Sequence, residues 1–259
     1  MFEHDNYSAI FNKRADSYHS AMQTWPSARD EEFHTLLSLA ELQDHHSIID
    51  MLSGGGYLSW YVPPDSELYH LESSSVFADF GRSGTPYPIV LVTEGKLPFA
   101  DNSVDRFLSM AALHHIDDKT PIYREMARVL KPGGIAVVAD AQMGSNVARF
   151  LDGTVDECNP MGHKGVYLSD NTADEIGLCG LEIRSSEVIN YYWQYASTEE
   201  MTEYCRQMFG MMQASEQAIK KGIEHYLGFQ EEDGLIKMNW NLQFIKAQKP
   251  DINTYTQPR

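Results

Sequence analysis

The chain has 259 residues, of which 42% are hydrophobic and 22% charged, enough for one large α/β domain with a sizeable core. Its formal net charge of −17 opposes binding to nucleic-acid phosphates and anionic lipid surfaces, which attract Lys and Arg. Three cysteines without a Cys-x-x-Cys pair argue against a disulfide framework or a zinc ribbon. The sequence shows neither the apolar core of a signal peptide nor a run approaching the roughly 20 apolar residues of a membrane span, so we expect a cytoplasmic protein.

The first predicted elements are helices, followed by strands that alternate with helices. Residues 6–42 carry apolar side chains at helical spacing, interrupted at Trp25-Pro26. Short apolar runs then occur at 47–52, 67–71, 89–92, 105–110 and 135–139, with a clear amphipathic helix at 120–130. Strands that alternate with helices predict a parallel sheet with right-handed crossovers.

The C-terminal half has a looser pattern. We predict a helix and glycine-containing loop over 144–167, a helix over 169–177 capped by Ser169 or Asp170, strands at 181–192 and 238–247, and one or two helices over 198–226. Residues 250–259 contain two prolines and are predicted to be a frayed tail. The whole of 1–249 is interpreted as one domain. It consists of an N-terminal helical cover (7–46), a ligand-binding core (47–141) and a region with an inserted helical lid and the last strands (142–249).

A glycine-rich turn is the sharpest local feature. The segment 48–58, IIDMLSGGGYL, reads as a buried strand that ends in three glycines, after which a short helix starts. Glycines allow a ligand to approach the main chain closely, and ligands bind at the carboxyl ends of strands in open α/β sheets. Glu72 ends the next predicted strand, 18 positions after Gly54, where a carboxylate can accept hydrogen bonds from ribose hydroxyls. A plain tight turn and a surface glutamate remain the alternatives to a nucleoside site.

Two ligands suit this geometry, a nicotinamide dinucleotide and S-adenosylmethionine. The dinucleotide fingerprint needs glycine at its first, third and sixth positions, and counted from Gly54 the sixth is Ser59. Pro63-Pro64 also leave only a short segment for a phosphate-binding helix.

Three later strings favour S-adenosylmethionine. They are LPF-x-DNS-x-D (97–105), LHH (113–115) and LKPGG (130–134). In this order and spacing, over residues of about 7–141, the chain resembles the class I methyltransferases of the type 11 small-molecule group. The resemblance implies a Rossmann-like, mostly parallel seven-stranded sheet with helices on both faces. It also implies methyl transfer from S-adenosylmethionine to a small molecule, with S-adenosylhomocysteine as the product.

The resemblance also implies the residues of the cofactor site. Asp50 and Ser53, Gly54, Gly55 and Gly56 would line the methionine part, Glu72 would hold the ribose, and Met110 and Ala111 would form the floor under the sulfonium. Thr93 and Glu94 occupy the place of the acidic residue that serves the adenine amino group in the family.

The sequence departs from the family at two places in this site. Leu52 replaces the first glycine of the usual Asp-x-Gly-x-Gly-x-Gly pattern, so a side chain would narrow the approach to the methionine end. The segment between Glu72 and the next strand is short and contains Gly81 and Gly84, which predicts an open adenine pocket.

Methyl transfer is an in-line displacement that depends mainly on holding the acceptor close and aligned, and a base is needed only for a protonated acceptor. The catalytic candidates are His114 and His115, as a base or as structural residues, and Tyr18, whose ring would cover the sulfonium.

The predicted acceptor pocket draws on the C-terminal half. Its candidates are Tyr191, Tyr192, Trp193, Met208, Met212 and His163, with ordinary core packing as the alternative for the aromatic and methionine residues. No metal site is predicted, because the loop with Cys158 and His163 lacks the ligand pairing of zinc sites.

Two other functions were weighed, a nicotinamide-dependent oxidoreductase and a non-catalytic methyltransferase-fold binding subunit. The expected partner is a small molecule, not nucleic acid or a membrane, and a homodimer is the oligomeric state to test.

Overall fold

One mixed sheet organises the part of the chain that the computed structural model describes, residues 6–92 and 95–251. The strands are β1 (Ser47–Met51), β2 (Glu67–Glu72), β3 (Ile89–Leu91), β4 (Val104–Met110), β5 (Leu130–Asp140), β6 (Glu182–Tyr195), β7 (Phe229–Glu232) and β8 (Leu235–Gln248). Their order is β3-β2-β1-β4-β5-β8-β6, and β7 pairs with β8. The first five strands run parallel, whereas β8 is antiparallel to β5, β6 and β7. The predicted Rossmann-like sheet is therefore confirmed, with one short strand added to the seven.

Helices cover both faces of this sheet. They are α1 (Asn6–Thr24), α2 (Asp30–Ala40), α3 (Ser75–Gly84), α4 (Thr120–Val129), α5 (Asn146–Phe150), α6 (Asp156–Cys158), α7 (Thr172–Leu178), α8 (Thr198–Met208) and α9 (Glu216–Tyr226). A π-helical turn at Leu151–Val155 joins α5 to α6. Among the described residues, no helix is both long and apolar enough to span a membrane.

The alternation of strand side chains explains why the sheet needs cover on both faces. Ile48 and Ile49 of β1 are both fully buried, but successive strand side chains point to opposite faces. Ile48 packs in the apolar cluster that contains Phe33 of α2, and Ile49 packs in the cluster that contains Ile122 of α4. A parallel strand buried on both faces reads as a continuous apolar run, which is why the sequence identifies β1 readily.

The segment after Glu72 differs from the prediction of an open adenine pocket. It forms α3, which Ser74 caps by accepting a hydrogen bond from the Phe77 N–H at 3.2 Å. A Cβ at Gly81 would lie 2.6 Å from Cδ1 of Ile89, so this glycine lets α3 pack closely on β3. Gly81 therefore permits tight packing, whereas a Cβ at Gly84 would meet nothing within 4 Å.

The predicted cap of the helix near residue 170 was wrong in its position. Helix α7 begins at Thr172 with Asn171 as its N-cap residue and no capping side chain. The Ser169 hydroxyl accepts from the Asn171 N–H at 3.3 Å, so it stabilises the preceding turn instead.

Candidate active site

The first cavity lies at the carboxyl ends of β1 and β4, beneath α1, and encloses about 510 Å³ of atom-free space. Five predicted cofactor residues line it: Asp50, Ser53, Gly54, Met110 and Ala111. It is also lined by Tyr7, Phe11, Tyr18, Arg29, Phe33, Leu36, Leu52, Tyr57, Leu58, Phe77 and Ala112. We call it the cofactor cavity. The edge of the sheet where parallel strands end is where ligands bind in such folds.

The turn after β1 has the left-handed backbone conformation that glycine adopts readily, even at Leu52. Gly54, Gly55 and Gly56 have φ values of +61°, +106° and +83°, and Leu52 itself has φ +59°. A left-handed conformation costs a residue with a side chain about 1–2 kcal/mol. Leu52 is nevertheless buried in the core, so its packing offsets this cost. The family's glycine position is thus occupied by a leucine without loss of the turn.

Glu72 lies directly beside this turn and is fully buried. One carboxylate oxygen accepts from the Gly54 N–H at 2.9 Å and from the Tyr7 hydroxyl at 3.1 Å. The other accepts from the N–H groups of Ser73 and Ser74, both at 2.8 Å. Burial raises the pKa of Glu72 to about 7, although these donors lower it. Both oxygens therefore already accept hydrogen bonds from the protein, and a ribose hydroxyl would have to replace the Tyr7 hydroxyl.

Two observations test whether these residues fit S-adenosylmethionine. The Ser53 hydroxyl is buried at the cavity without a hydrogen-bond partner among the described residues, as a site for a polar methionine group would be. A Cβ at Gly54 would lie 3.8 Å from the Tyr18 hydroxyl, so the absence of a side chain leaves the main chain open beneath that ring. Asp50 is held by His70 Nδ1 at 2.9 Å. These residues fit S-adenosylmethionine when a ribose hydroxyl replaces the Tyr7 hydroxyl as the hydrogen-bond donor to Glu72.

The second cavity adjoins the first and encloses about 530 Å³ of atom-free space. Its walls are mostly aromatic and aliphatic, with a cluster of histidines on one side. They are formed by Phe11, Arg14, Tyr18, Arg29, Ala111, His114, His115, Asp140, Ala141, Val147, Leu151, His163, Trp193, Met208, Phe209, Trp240 and Leu242. We call it the acceptor cavity. Apolar walls with a few converging polar groups are typical of small-molecule sites.

The two cavities share four wall residues, Phe11, Tyr18, Arg29 and Ala111. Phe11 and Tyr18 come from the helical cover, and their rings meet edge to face with centroids 6.0 Å apart. Ala111 follows directly after β4 and has φ +52°. A ligand in one cavity can therefore meet a ligand in the other only at this common wall.

Arg29 is fixed in this wall by a buried ion pair. Its guanidinium contacts the Glu32 carboxylate, and one of its nitrogens donates to the Tyr18 hydroxyl at 2.9 Å. The Tyr191 hydroxyl and the indole N–H of Trp193 also donate to Glu32, at 3.1 and 2.8 Å. Burial opposes the charge of Arg29, but Glu32 outweighs it and raises the pKa of Arg29 well above its ordinary value. This network links the cover to the last strands and sets the position of Tyr18.

His114 is oriented by the carboxylate that ends β5. Oδ1 of Asp140 lies 2.7 Å from Nδ1 of His114, and Oδ2 accepts the His114 main-chain N–H at 2.9 Å. Burial alone would raise the pKa of Asp140, but His114 and the main-chain donors lower it below its ordinary value. Asp140 is therefore an ionised group that holds the His114 ring in place.

His115 and His163 are buried, uncharged neighbours of this pair. Burial lowers the pKa of His115 well below its ordinary value, and it lowers that of His163 to about 4. Their ring centroids lie 5.5 Å apart, and each is within 5.5 Å of the His114 ring. Neutral imidazoles at this position can offer a ring nitrogen to a bound molecule as a hydrogen-bond acceptor.

The remaining predicted pocket residues fall in different places. Tyr191 is buried but turned toward Glu32, and both it and Tyr192 line a separate groove beside Trp240. Met212 is 54% exposed and does not line the acceptor cavity, because α8 has already ended at Met208. Its assignment to the pocket was wrong.

Three other predicted cofactor residues do not line the cofactor cavity. Gly55 and Gly56 belong to the turn beneath it, and Glu72 lies behind Tyr7 and Gly54, which do line it. Thr93 and Glu94 lie outside the described residues.

Sequence reasoning missed Arg29, Asp140 and Trp240. For Asp140 there was a usable signal, because it is a carboxylate at the carboxyl end of a predicted parallel strand. For Arg29 and Trp240 no local signal exists, since their place in the wall depends on contacts far along the chain.

Comparison with known proteins agrees with this geometry. The family model described as "Methyltransferase domain" matches residues 49–138, which include the glycine turn, Glu72 and both histidines after β4. The ubiquinone/menaquinone biosynthesis C-methyltransferase UbiE of Neisseria meningitidis serogroup C (strain 053442) is 30% identical over 132 residues, or 48% of this chain and 53% of that protein. The matched part thus spans about half the length of this curated relative.

Solved structures share the fold over most of the chain. A methyltransferase structure from Bacillus halodurans C-125 has a TM-score of 0.62 and 16% identity, covering 85% of this chain and 99% of that one. Geranyl diphosphate C-methyltransferase from Streptomyces coelicolor A3(2), solved with Mg²⁺, geranyl diphosphate and S-adenosyl-L-homocysteine, has a TM-score of 0.58 and 14% identity, covering 95% and 86%. Residues 49–138 thus match the model of a methyltransferase domain, and the chain shares its fold with these solved structures.

Proposed function

We propose that the protein transfers a methyl group from S-adenosylmethionine to a small molecule bound in the acceptor cavity. The observation that carries this proposal is the wall that the two cavities share at Phe11, Tyr18, Arg29 and Ala111. A methyl donor in the cofactor cavity and an acceptor in the other would face each other only there. Such alignment is the main contribution that a protein makes to an in-line displacement.

The residues of the cofactor cavity bind and orient in this proposal. Glu72 accepts the ribose hydroxyls, Ser53 and the Gly54 turn hold the methionine end, and Met110 with Ala111 supports it from below. Bound there, the cofactor supplies an electrophilic methyl group on a sulfonium. The Tyr18 ring covers that position, where an aromatic face favours a positive charge.

The residues of the acceptor cavity hold and orient the acceptor. Trp193, Trp240 and Phe209 form a stacked apolar wall, with the two indole centroids 4.1 Å apart. Burial lowers the pKa of His115 and His163, so they present neutral imidazoles to a polar group of the acceptor. Asp140 fixes the orientation of the neighbouring His114 ring.

The size and apolar walls of the acceptor cavity favour a small acceptor with an aromatic or aliphatic body. The names of two similar proteins, the quinone C-methyltransferase and the geranyl diphosphate C-methyltransferase, describe acceptors of that character. The fold alone does not decide the reaction, because the [4+2]-cyclase SpnF also shares it, with a TM-score of 0.59 and 19% identity.

Labelled methyl transfer tests the proposal. The protein is incubated with S-adenosylmethionine labelled in its methyl group and with a metabolite extract, and the label is followed into small-molecule, protein and nucleic-acid fractions. We expect label in the small-molecule fraction, much less with Glu72→Gln, and unchanged transfer with Glu67→Gln, an exposed carboxylate on the same strand. Binding of S-adenosylhomocysteine without transfer to any fraction would favour the non-catalytic binding subunit instead.

The cytoplasmic location, the homodimer and the lack of a nucleic-acid partner remain predictions. The charge of −17 supports the last of these, since it repels phosphate backbones. Nothing in the geometry of the glycine turn or in the comparisons favours the oxidoreductase alternative.

A further inference from the structure

Three histidines converge on one side of the acceptor cavity from distant parts of the chain. His114 and His115 lie in the 3₁₀ turn after β4, and His163 lies in the loop after α6. All three are buried, and one potential ligand atom from each lies within 4.8 Å of the others. We propose that His114, His115 and His163 form a binding site for one divalent transition-metal ion such as Zn²⁺, with its remaining coordination position facing the acceptor cavity.

Asp140 and Asp152 orient the imidazoles of His114 and His163, as carboxylates do for histidine ligands in known metal sites. Asp140 Oδ1 lies 2.7 Å from His114 Nδ1, and Asp152 Oδ1 lies 3.3 Å from His163 Nδ1. A metal-binding histidine usually donates its second ring nitrogen to a carboxylate, which fixes the tautomer and the direction of the ligating nitrogen. Both pairs therefore leave Nε2 as the free nitrogen.

The third ring has no partner within the described ranges. The His115 imidazole makes no hydrogen bond there and is only 7% exposed, with Tyr7 and Phe11 against it edge-on at 6.0 and 5.3 Å. A buried imidazole normally satisfies at least one nitrogen, so an unpartnered one beside two oriented rings points to a ligand between them.

A hydrogen bond joins the loop that carries His163 to the turn that carries His114 and His115. The Val166 N–H donates to the His114 carbonyl at 2.8 Å, and the Asp156 carboxylate accepts the His163 N–H at 2.7 Å. Asp152, in the π-helical turn, also accepts from the Tyr167 hydroxyl at 2.6 Å. Such π turns inside helices often occur at functional sites. The site is therefore largely formed before any ion binds.

The chemistry of the donor set selects the kind of ion. Three imidazoles suit Zn²⁺, Ni²⁺, Co²⁺ or Cu²⁺ and not the oxygen-preferring Mg²⁺ or Ca²⁺. Zn–N bonds of about 2.1 Å imply nitrogen separations of about 3.4 Å, so ligand atoms that lie within 4.8 Å of one another must approach by up to about 1.4 Å.

The charges around the site are mixed. Arg14 and Lys119 lie near enough to lower the pKa of His115 and therefore oppose a cation, whereas Asp140 and Asp152 favour one. The two carboxylates act through direct contacts with the ligating rings, and the two cations do not. We therefore expect the site to bind a metal ion despite the repulsion from Arg14 and Lys119.

The open position gives the metal a role in recognising the acceptor. Three protein ligands with one free position are typical of catalytic zinc sites, in which water or substrate takes the fourth place. A hydroxyl, carboxylate or amine of the acceptor would bind there and be held against the shared wall. This last step rests on the proposed function, whereas the metal site itself does not.

Metal titration of untagged, chelator-treated full-length protein tests the site. Zn²⁺ binding is measured by calorimetry and Co²⁺ binding by its visible absorption. His163→Ala, His115→Ala and the exposed control His225→Ala are compared after circular dichroism has confirmed their folding. We expect one ion per chain, a thermal shift on binding, affinity lowered about tenfold or more in the first two variants, and unchanged affinity in the control.

Binding of S-adenosylhomocysteine is measured on the same samples, so that the two proposals fail separately. No metal binding, or equal binding by wild type and the two site variants, would overturn the metal site even if S-adenosylhomocysteine binds. Metal binding without S-adenosylhomocysteine binding would leave the site standing and contradict methyl transfer. If one of the two alanine variants does not fold, the other still decides the question.

Discussion

The cofactor cavity and the acceptor cavity share a wall but are assembled in different ways. The cofactor cavity draws all its lining from residues 7–112, and its chemistry comes from the turn after β1 and the end of β4. The acceptor cavity draws on residues from Phe11 to Leu242, through the ends of β4 and β5, the His163 loop, α8 and the last two long strands. The first is encoded in short stretches of sequence, whereas the second exists only once distant segments have packed together.

This difference makes Arg29 the residue whose loss should affect both cavities most. Arg29→Ala leaves Glu32 as a buried charge without its cation, and we expect the free energy of unfolding to fall by about 3–5 kcal/mol in urea denaturation. The matched control is Arg82→Ala, which breaks an exposed pair with Asp79 at the same i,i+3 spacing. That change should cost at most about 1 kcal/mol, and equal losses in the two variants would contradict the role given to Arg29.

Glu72 should separate the two cavities, because its hydrogen-bond partners Tyr7 and Gly54 line the cofactor cavity and not the acceptor cavity. Glu72→Gln removes a charged acceptor from the ribose site, which is worth about 1.5–3 kcal/mol, or roughly a 10–100-fold loss of S-adenosylhomocysteine affinity by calorimetry. Zn²⁺ binding should not change. Glu67→Gln on the same strand is the control, and an equal loss there would remove Glu72 from the cofactor site.

The pH dependence of the free energy of unfolding should show whether His163 is buried and uncharged in the acceptor cavity. Its pKa is lowered to about 4 in the folded protein, whereas an unfolded histidine titrates near 6.5, so the unfolded state binds more protons. Stability is then fully present above about pH 6.5 and is lost as pH falls toward 4. Burial is the main cause of the lowered pKa of His163; His114 and Arg14 lower it further, whereas Asp152 opposes the change.

The corresponding experiment is urea denaturation at pH 7 and pH 5. Wild type should lose about 2 kcal/mol more than His163→Asn over this interval. If both proteins lose the same amount, His163 is not held neutral in the folded protein.

The smallest effect concerns the cover, where the Tyr7 hydroxyl occupies an oxygen of Glu72 that the ribose needs. Tyr7→Phe should lower the free energy of unfolding by about 1–2 kcal/mol, because it removes a buried hydrogen bond to a carboxyl group. The same change should raise the affinity for S-adenosylhomocysteine, measured by calorimetry. A fall in affinity would mean that Tyr7 assists binding of the ribose instead of competing with it.

The sequence predicts the fold well because the fold depends on local patterns, and five of the predicted cofactor residues line the cofactor cavity. The strands β1 to β5 read as apolar runs, and Glu72 has a fixed relation to the glycine turn. The strand β7 was missed because its sequence, Phe229–Glu232, is mostly polar and exposed. The helix α3 was not predicted, because the glycines of its segment were read as a sign of an open pocket, although Gly81 permits close packing on Ile89.

The acceptor cavity could be predicted only in part, for a physical reason. Trp193 and Met208 were expected to line it, but nothing local in the sequence shows that His163 reaches His114. That contact depends on two hydrogen bonds, one between Asp152 and His163 and one from Val166 to His114, and the second joins segments that are far apart in the sequence. The spacing of motifs in the sequence therefore could not predict the metal site that we propose.

A crystal structure with S-adenosylhomocysteine tests the central claim most directly. The account predicts that the ribose contacts Glu72 and that the sulfur lies at the shared wall, between Tyr18 and Ala111, facing the acceptor cavity and its histidines. A sulfur directed away from that wall, or a ligand that leaves the cofactor cavity empty, would contradict it.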